Sequence, residues 1–259
     1  MRLAPNPYGP FIQADGPQSL PSNAVGIFVP KYNTTKPDAT GAFHPEAKNF
    51  CDHWEIPCDN IQYVDNKLPK SCHRPGNVAD DLLDKMEEVQ SASAEPVAIW
   101  VFFCHGYTHG IQFSIRSPHH PHYDEEYAKR YKRFIDIISD HPSPVIVLYA
   151  CSTGDDPDGD SDTAPGSGDN SFADCVRDDL CKRGAVWCRV FAHTTAGHTT
   201  GNPYVKLLDG NGNAEGGEGG ELIATPGSKE FRNLRKKLKQ DFRFRLPFMT
   251  VDSIKNSLQ

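Results

Sequence analysis

The sequence predicts an α/β domain built on a mainly parallel sheet of about six strands. Two apolar runs carry the prediction. Residues 97–104, VAIWVFFC, and 144–150, PVIVLYA, are short, β-branched and aromatic, and each reads as a buried strand. Between them, residues 123–139 follow a helical pattern. Strand, helix, strand makes a right-handed βαβ unit whose strands lie parallel.

The remaining elements follow in chain order. Residues 1–22 are Pro-rich and read as an extended arm ahead of one domain spanning 23–259. Residues 24–29 form the first strand, closed by Pro30, and 31–41 loop over its carboxyl end. Phe43, Ala47, Phe50 and Trp54 sit at helical spacing around a helix over 44–53. A short strand fits 61–64. Val78, Leu82, Leu83, Met86 and Val89 mark one face of a helix over 77–89. After the run at 97–104, residues 107–115 suggest a hairpin or a small extra strand, and His119, His120 and His122 sit in a Pro-rich loop. Residues 152–170 are a loop rich in Asp, Gly, Ser and Pro. A helix over 171–182 is capped by Gly184, and 185–192 form another buried strand. The segment 193–204 leaves that strand's carboxyl end. A Gly-rich loop covers 209–221 and a basic helix 228–241. Alternating Phe242, Phe244 and Leu246 then suggest an edge strand before a terminal helix.

Composition narrows the function classes. The 259 residues carry a net charge of −7 and a pI near 5.9, with no basic stripe of the kind that binds nucleic acid. No apolar run reaches membrane-spanning length, and residues 1–22 contain no signal-peptide apolar region. Eight cysteines in a chain this long do not make a dense disulfide framework, so a reducing cytoplasm is the simplest setting.

Chemistry concentrates at two strand ends. His105-Gly106 follows the first run, and Cys151 follows Ala150 at the end of the second. Ligands of open parallel sheets bind beyond the carboxyl ends of the strands. A thiol and an imidazole there form a candidate nucleophile and base.

An apolar block followed by His-Gly, then a second followed by Ala-Cys, resembles the cysteine peptidases that include caspases, metacaspases, gingipains, legumains and separases. The His of caspases lies about 50 residues before the Cys, as here. The caspase signature Gln-Ala-Cys-(Arg/Gln/Gly)-Gly is partly met: Tyr149 replaces Gln, Ser152 and Thr153 follow the Cys, and Gly arrives at Gly154. The broad superfamily is therefore favoured over caspases proper. The order His then Cys disfavours papain-like proteases and glutamine amidotransferases.

The resemblance implies a caspase-like three-layer α/β/α sandwich and a cysteine endopeptidase acting on a polypeptide substrate. It implies Cys151 as nucleophile, His105 as base, and the N–H groups of Gly106 and Cys151 as oxyanion donors. It places the P1 pocket on the loops 31–41, 152–170 and 193–204. The caspase preference for Asp at P1 uses arginines, which these loops lack; Asp38, Asp155 and Asp156 suit Lys or Arg instead. His193 and His198 are candidates to touch substrate. The loop 152–170 matches the place of the activation-cleavage linker, which implies an activating protease or partner protein. The alternatives are an inactive caspase-like binding module and another thiol-dependent amidohydrolase.

Two metal readings compete. Asp156, Asp158, Asp160 and Asp162 alternate as oxygen ligands that suit Ca²⁺, without the closing Glu of an EF-hand. His105, His109 and the histidines at 119, 120 and 122 are a weaker set for zinc. The peptidase reading requires no cofactor.

Overall fold

Parallel strands buried on both faces need a partner layer on each side, and the sequence distributes its apolar residues accordingly. The computed structural model describes residues 25–31, 43–54, 56–65, 76–155, 168–194, 205–216 and 221–222. In chain order these are β1 (Val25–Lys31), α1 (Phe43–Trp54), a 3₁₀ turn (Cys58–Asn60), β2 (Ile61–Asp65), α2 (Gly76–Ala92) and β3 (Ile99–Phe103). Then come β4 (Gly106–Tyr107), β5 (Gly110–Ile111), β6 (Ile115–Arg116), α3 (Glu125–Ile138), β7 (Val145–Tyr149), α4 (Phe172–Lys182), β8 (Arg189–His193), β9 (Val205–Asp209) and β10 (Glu221–Leu222).

The main sheet has seven strands in the order β10-β9-β8-β7-β3-β1-β2. Its block from β8 to β2 is parallel throughout, while β9 and β10 run antiparallel to their neighbours. The chain starts at β1, steps outward to β2, then returns to lay β3 on the other side. That reversal is the switch point beside which such sheets hold ligands.

Alternation along the strands sorts the core. Phe28, Trp100, Phe102, Ile146, Leu148, Val190 and Ala192 cluster with apolar residues of α2, α3 and α4. Val25, Ile27, Val29, Val101, Phe103, Val147, Tyr149 and Phe191 cluster with Phe43, Ala47, Phe50 and Cys51 of α1. Each strand thus feeds two apolar clusters.

The structure corrects three boundaries. β1 continues through Pro30 to Lys31, because its last residues pair with β2 alone; its pairing with β3 ends at Phe28, opposite Phe102. Residues 185–188 form a turn, with Cys188 N–H donating to the Ala185 carbonyl at 2.9 Å, and the strand begins at Arg189. β9 occupies residues to which the sequence reading gave no element, and with the two-residue β10 it brings the sheet to seven strands. Gly184 does close α4 with φ 92°, donating to the Cys181 carbonyl at 2.9 Å. The arm 1–22, the basic helix over 228–241 and the strand and helix expected after it lie outside the described residues. Among the described residues no helix is long and apolar enough to cross a membrane.

Candidate active site

His105 and Cys151 follow the ends of two strands that share a register. Ile99 to Phe103 on β3 pair with Val145 to Tyr149 on β7, residue for residue, and Cys104 N–H still donates to the Tyr149 carbonyl at 3.3 Å. His105 and Cys151 each lie two positions beyond the last paired residues, Phe103 and Tyr149. Neighbouring strands lie about 4.8 Å apart. Parity agrees: Phe103 and Tyr149 stack on the α1 face with ring centroids 4.4 Å apart. His105, two residues on, meets Phe43 at the start of α1 edge-on at 4.9 Å.

The histidine backbone is held on both sides by Gln112. Gln112 N–H donates to the His105 carbonyl at 2.8 Å, and His105 N–H donates to Gln112 Oε1 at 3.0 Å. Bonded and non-bonded pairs alternate along an antiparallel ladder. His105 and Gln112 make the bonded pair, so Gly106, opposite Ile111, directs its N–H away from β5. The sequence reading missed Gln112; its signal was a lone polar side chain between Ile111 and Phe113.

Gly106 lies against the cysteine turn. A Cβ there would come within 2.7 Å of Ala150 Cβ and Thr153 Cγ2 and 2.8 Å of the Cys151 carbonyl oxygen. Glycine is required at this position by contact, and it brings an N–H close to the thiol's own peptide. Gly106→Ala is therefore expected to destabilise the fold by about 1–3 kcal/mol through overpacking and to drive the two turns apart. Thermal melting checks this; an unchanged melting temperature would show that Gly106 is not confined by the cysteine turn.

The turn after Cys151 is unusual in its backbone. Ser152 takes φ 53°, a left-handed conformation that a non-glycine residue holds only when its surroundings impose it. They do so through the buried Thr153, whose hydroxyl donates to the Ala150 carbonyl at 3.1 Å, and through Gly154 N–H, which donates to the His193 carbonyl at 2.9 Å. Helix α4 fastens both turns. Its first N–H groups lack intrahelical partners. Phe172 N–H donates to the Thr108 carbonyl at 2.7 Å and Ala173 N–H to the Thr153 carbonyl at 2.9 Å, while the Ser171 side chain caps Asp174 N–H at 3.2 Å.

Cys104 and Cys175 are poor rivals. Burial pushes the Cys104 thiol up, and pushes Cys175 up to about 12. Cys151 is half-buried at the open end of the sheet.

The structure places the remaining candidates as follows. His193 ends β8 but is 1% exposed, its ring edge-on to Tyr149 at 5.9 Å, so its side chain lies inside the protein beneath the strand ends. Asp155 is half-buried in the cysteine turn and donates its N–H to the Ser152 carbonyl at 3.2 Å. Asp38, His198 and the alternating run Asp156, Asp158, Asp160 and Asp162 lie outside the described residues. The histidines weighed for zinc are spread out. The His120 ring lies 6.3 Å from that of His109 and 5.9 Å from that of His122, and His119 is exposed. No group of three side chains suited to a metal forms among the described residues.

Comparison with protein-family models, with curated proteins and with solved structures finds no match.

Proposed function

We propose that this protein is a cysteine endopeptidase of caspase-like architecture, working through a Cys151/His105 dyad. The observation that carries the reading is the shared β3–β7 register, two residues beyond which stand an imidazole on one chain segment and a thiol on the other. The three-layer arrangement is supported by apolar clusters on alternate faces of the strands, one with α1 and one with α2, α3 and α4.

In this mechanism His105 takes the Cys151 thiol proton as sulfur attacks the scissile carbonyl carbon. The carbonyl oxygen becomes an oxyanion, stabilised by the N–H groups of Gly106 and Cys151. Losing one such donor costs about 10²–10³ in turnover in other proteases. The intermediate collapses to a thioester as the amine leaves, taking the proton from His105. Water, deprotonated by His105, then attacks the thioester and releases the carboxylate and the thiol.

Asp155 stands in the nucleophile's own turn, and Asp38 and Asp156 belong to loops that would wall the P1 pocket. Carboxylates there favour a cation, so substrates with Lys or Arg at P1 are expected to be cut in preference to those with Asp. A positional-scanning peptide library tests this, with Cys151→Ala protein run beside the natural one. Preference for Asp or a neutral residue at P1 would reject the pocket assignment. A peptidyl acyloxymethyl ketone is expected to modify Cys151 alone. If peptide cleavage persists while mapping finds Cys151 unmodified, the nucleophile is a different residue. The loop 152–170 directly follows the nucleophile, so cleavage within it by an activating protease, or its capture by a partner or Ca²⁺, would act on the pocket wall.

A further inference from the structure

Four cysteines form two pairs with the same spacing and the same place in the fold. Cys181 lies in the last turn of α4, and Cys188 stands just before β8. Cys51 lies in the last turn of α1, and Cys58 opens the 3₁₀ turn that leads into β2. Each pair therefore spans a connection from the carboxyl end of a helix to the amino end of a strand, with six residues between the cysteines.

In the first pair the thiols are in contact. Cys181 Sγ lies 3.7 Å from Cys188 Sγ. Both are buried, at 1% and 0% exposure, so the contact is not a chance meeting of mobile surface groups. The turn that brings them together is itself tied down. Gly184 N–H donates to the Cys181 carbonyl at 2.9 Å and Gly210 N–H to the Cys188 carbonyl at 3.0 Å. In the second pair, burial and then the neighbouring Cys58 push the Cys51 thiol up to about 12, and Ile56 N–H donates to the Cys51 carbonyl at 2.9 Å. A disulfide bond is about 2.05 Å long, and side-chain rotation spans a gap of the size left at Cys181 and Cys188.

We propose that Cys181–Cys188 and Cys51–Cys58 are disulfides in the mature protein, each stapling a helix-to-strand turn, while Cys151 remains a thiol. The chemistry balances with a disulfide oxidant such as oxidised glutathione. A Cys181 thiolate attacks one glutathione sulfur and releases the other as a thiol. Cys188 sulfur then attacks the Cys181 sulfur of the mixed disulfide and releases the second glutathione. Two protein thiols are oxidised and one glutathione disulfide is reduced to two thiols. Both thiols are closed off from solvent in the folded turn, so the exchange takes place before α4 and β8 pack together. Disulfides of this kind form and persist in oxidising compartments. The pairing therefore favours such a compartment over the reducing cytoplasm that the cysteine count suggested.

The test uses the full chain equilibrated with an excess of oxidised over reduced glutathione. The protein is then denatured, alkylated with iodoacetamide without reduction, and digested with trypsin. Cleavage at Lys182 and Arg183 separates Cys181 from Cys188, so their disulfide appears as peptides 178–182 and 184–189 joined together. Cys51 and Cys58 share the tryptic peptide 49–67, which is expected two hydrogens lighter than its reduced form and free of alkyl groups. Cys104, Cys151 and Cys175 are expected to carry the label. Reduction of the native protein is expected to lower the melting temperature by about 5 °C for each loop opened. A pair alkylated at both thiols after this treatment overturns the assignment for that pair. A disulfide between Cys104 and Cys151 overturns the claim that Cys151 stays free. Because the readout is covalent mapping, it stands or falls separately from peptidase activity.

Discussion

Replacing Cys151 by alanine is expected to lower peptide hydrolysis by roughly 10⁶-fold, the loss seen when a protease nucleophile is removed from a group that works as a unit. His105→Ala should fall nearly as far, because a thiol without its base attacks only through the small thiolate fraction it holds unaided. The combined variant should be no worse than either single change. Two residues that contribute independently would multiply their losses; a nucleophile and its base lose the same step once. The fold should survive both changes. Cys151 and His105 are half-buried at strand ends, beyond the last residues of the β3–β7 ladder, so truncation leaves no closed cavity. The measurement is kcat/KM on a fluorogenic peptide with Lys or Arg at P1, with circular dichroism confirming structure. Cys151→Ala protein that keeps turnover within tenfold of the natural protein would place the nucleophile elsewhere. A His109→Ala variant that is inactive beside an active His105→Ala variant would show that the wrong histidine had been chosen.

The parts of this site that the sequence makes readable are those carried by local pattern. Short apolar runs rich in β-branched and aromatic residues read as strands buried on both faces, and the residue at which each run stops is where the chain emerges into the crevice. That logic reaches His105, Gly106 and Cys151 without any knowledge of contacts. It fails where burial is imposed by distant neighbours. Lys206 is 1% exposed as the second residue of β9, beside Gly168, yet in a sequence a lysine within Val-Lys-Leu-Leu-Asp reads as a solvent-facing residue. For the same reason β9 escaped notice. Gln112 was also illegible, since its role depends on a hairpin that folds it back onto the His105 peptide. His193 shows the opposite error. Its position after a strand suggested access to substrate, while the packing of Tyr149 holds it inside.

Arg177→Met is expected to be the most destabilising single change in α4, lowering stability by about 3–5 kcal/mol and the melting temperature by roughly 10 °C. Arg177 is 1% exposed and forms an ion pair with Asp174, which is itself buried, while its Nε donates to Asp178 Oδ1 at 2.7 Å. Removing the cation leaves Asp174 in a site where burial already pushes its carboxyl up, to about 6, against the pull of Arg177. The sign of the accompanying pH effect follows. A carboxyl whose folded pKa stands above its unfolded value binds its proton more tightly in the native state, so its contribution to stability declines as pH rises from the ordinary carboxylate range through about 6. Without Arg177 that window should widen upward, and the variant should lose more stability between mildly acidic and neutral pH than the natural protein does. Asp174→Leu in the same chain should recover part of the loss, because an apolar pair leaves no charge stranded. The effect reaches the site through α4, whose Phe172 and Ala173 N–H groups hold the Thr108 and Thr153 carbonyls behind the histidine and cysteine turns. A looser α4 should therefore lower kcat at temperatures where the variant is still folded. Melting curves at several pH values, paired with kcat, decide the matter. If Arg177→Met melts within a degree of the natural protein at neutral pH, the buried ion pair does not support α4, and the link from that helix to the site is broken.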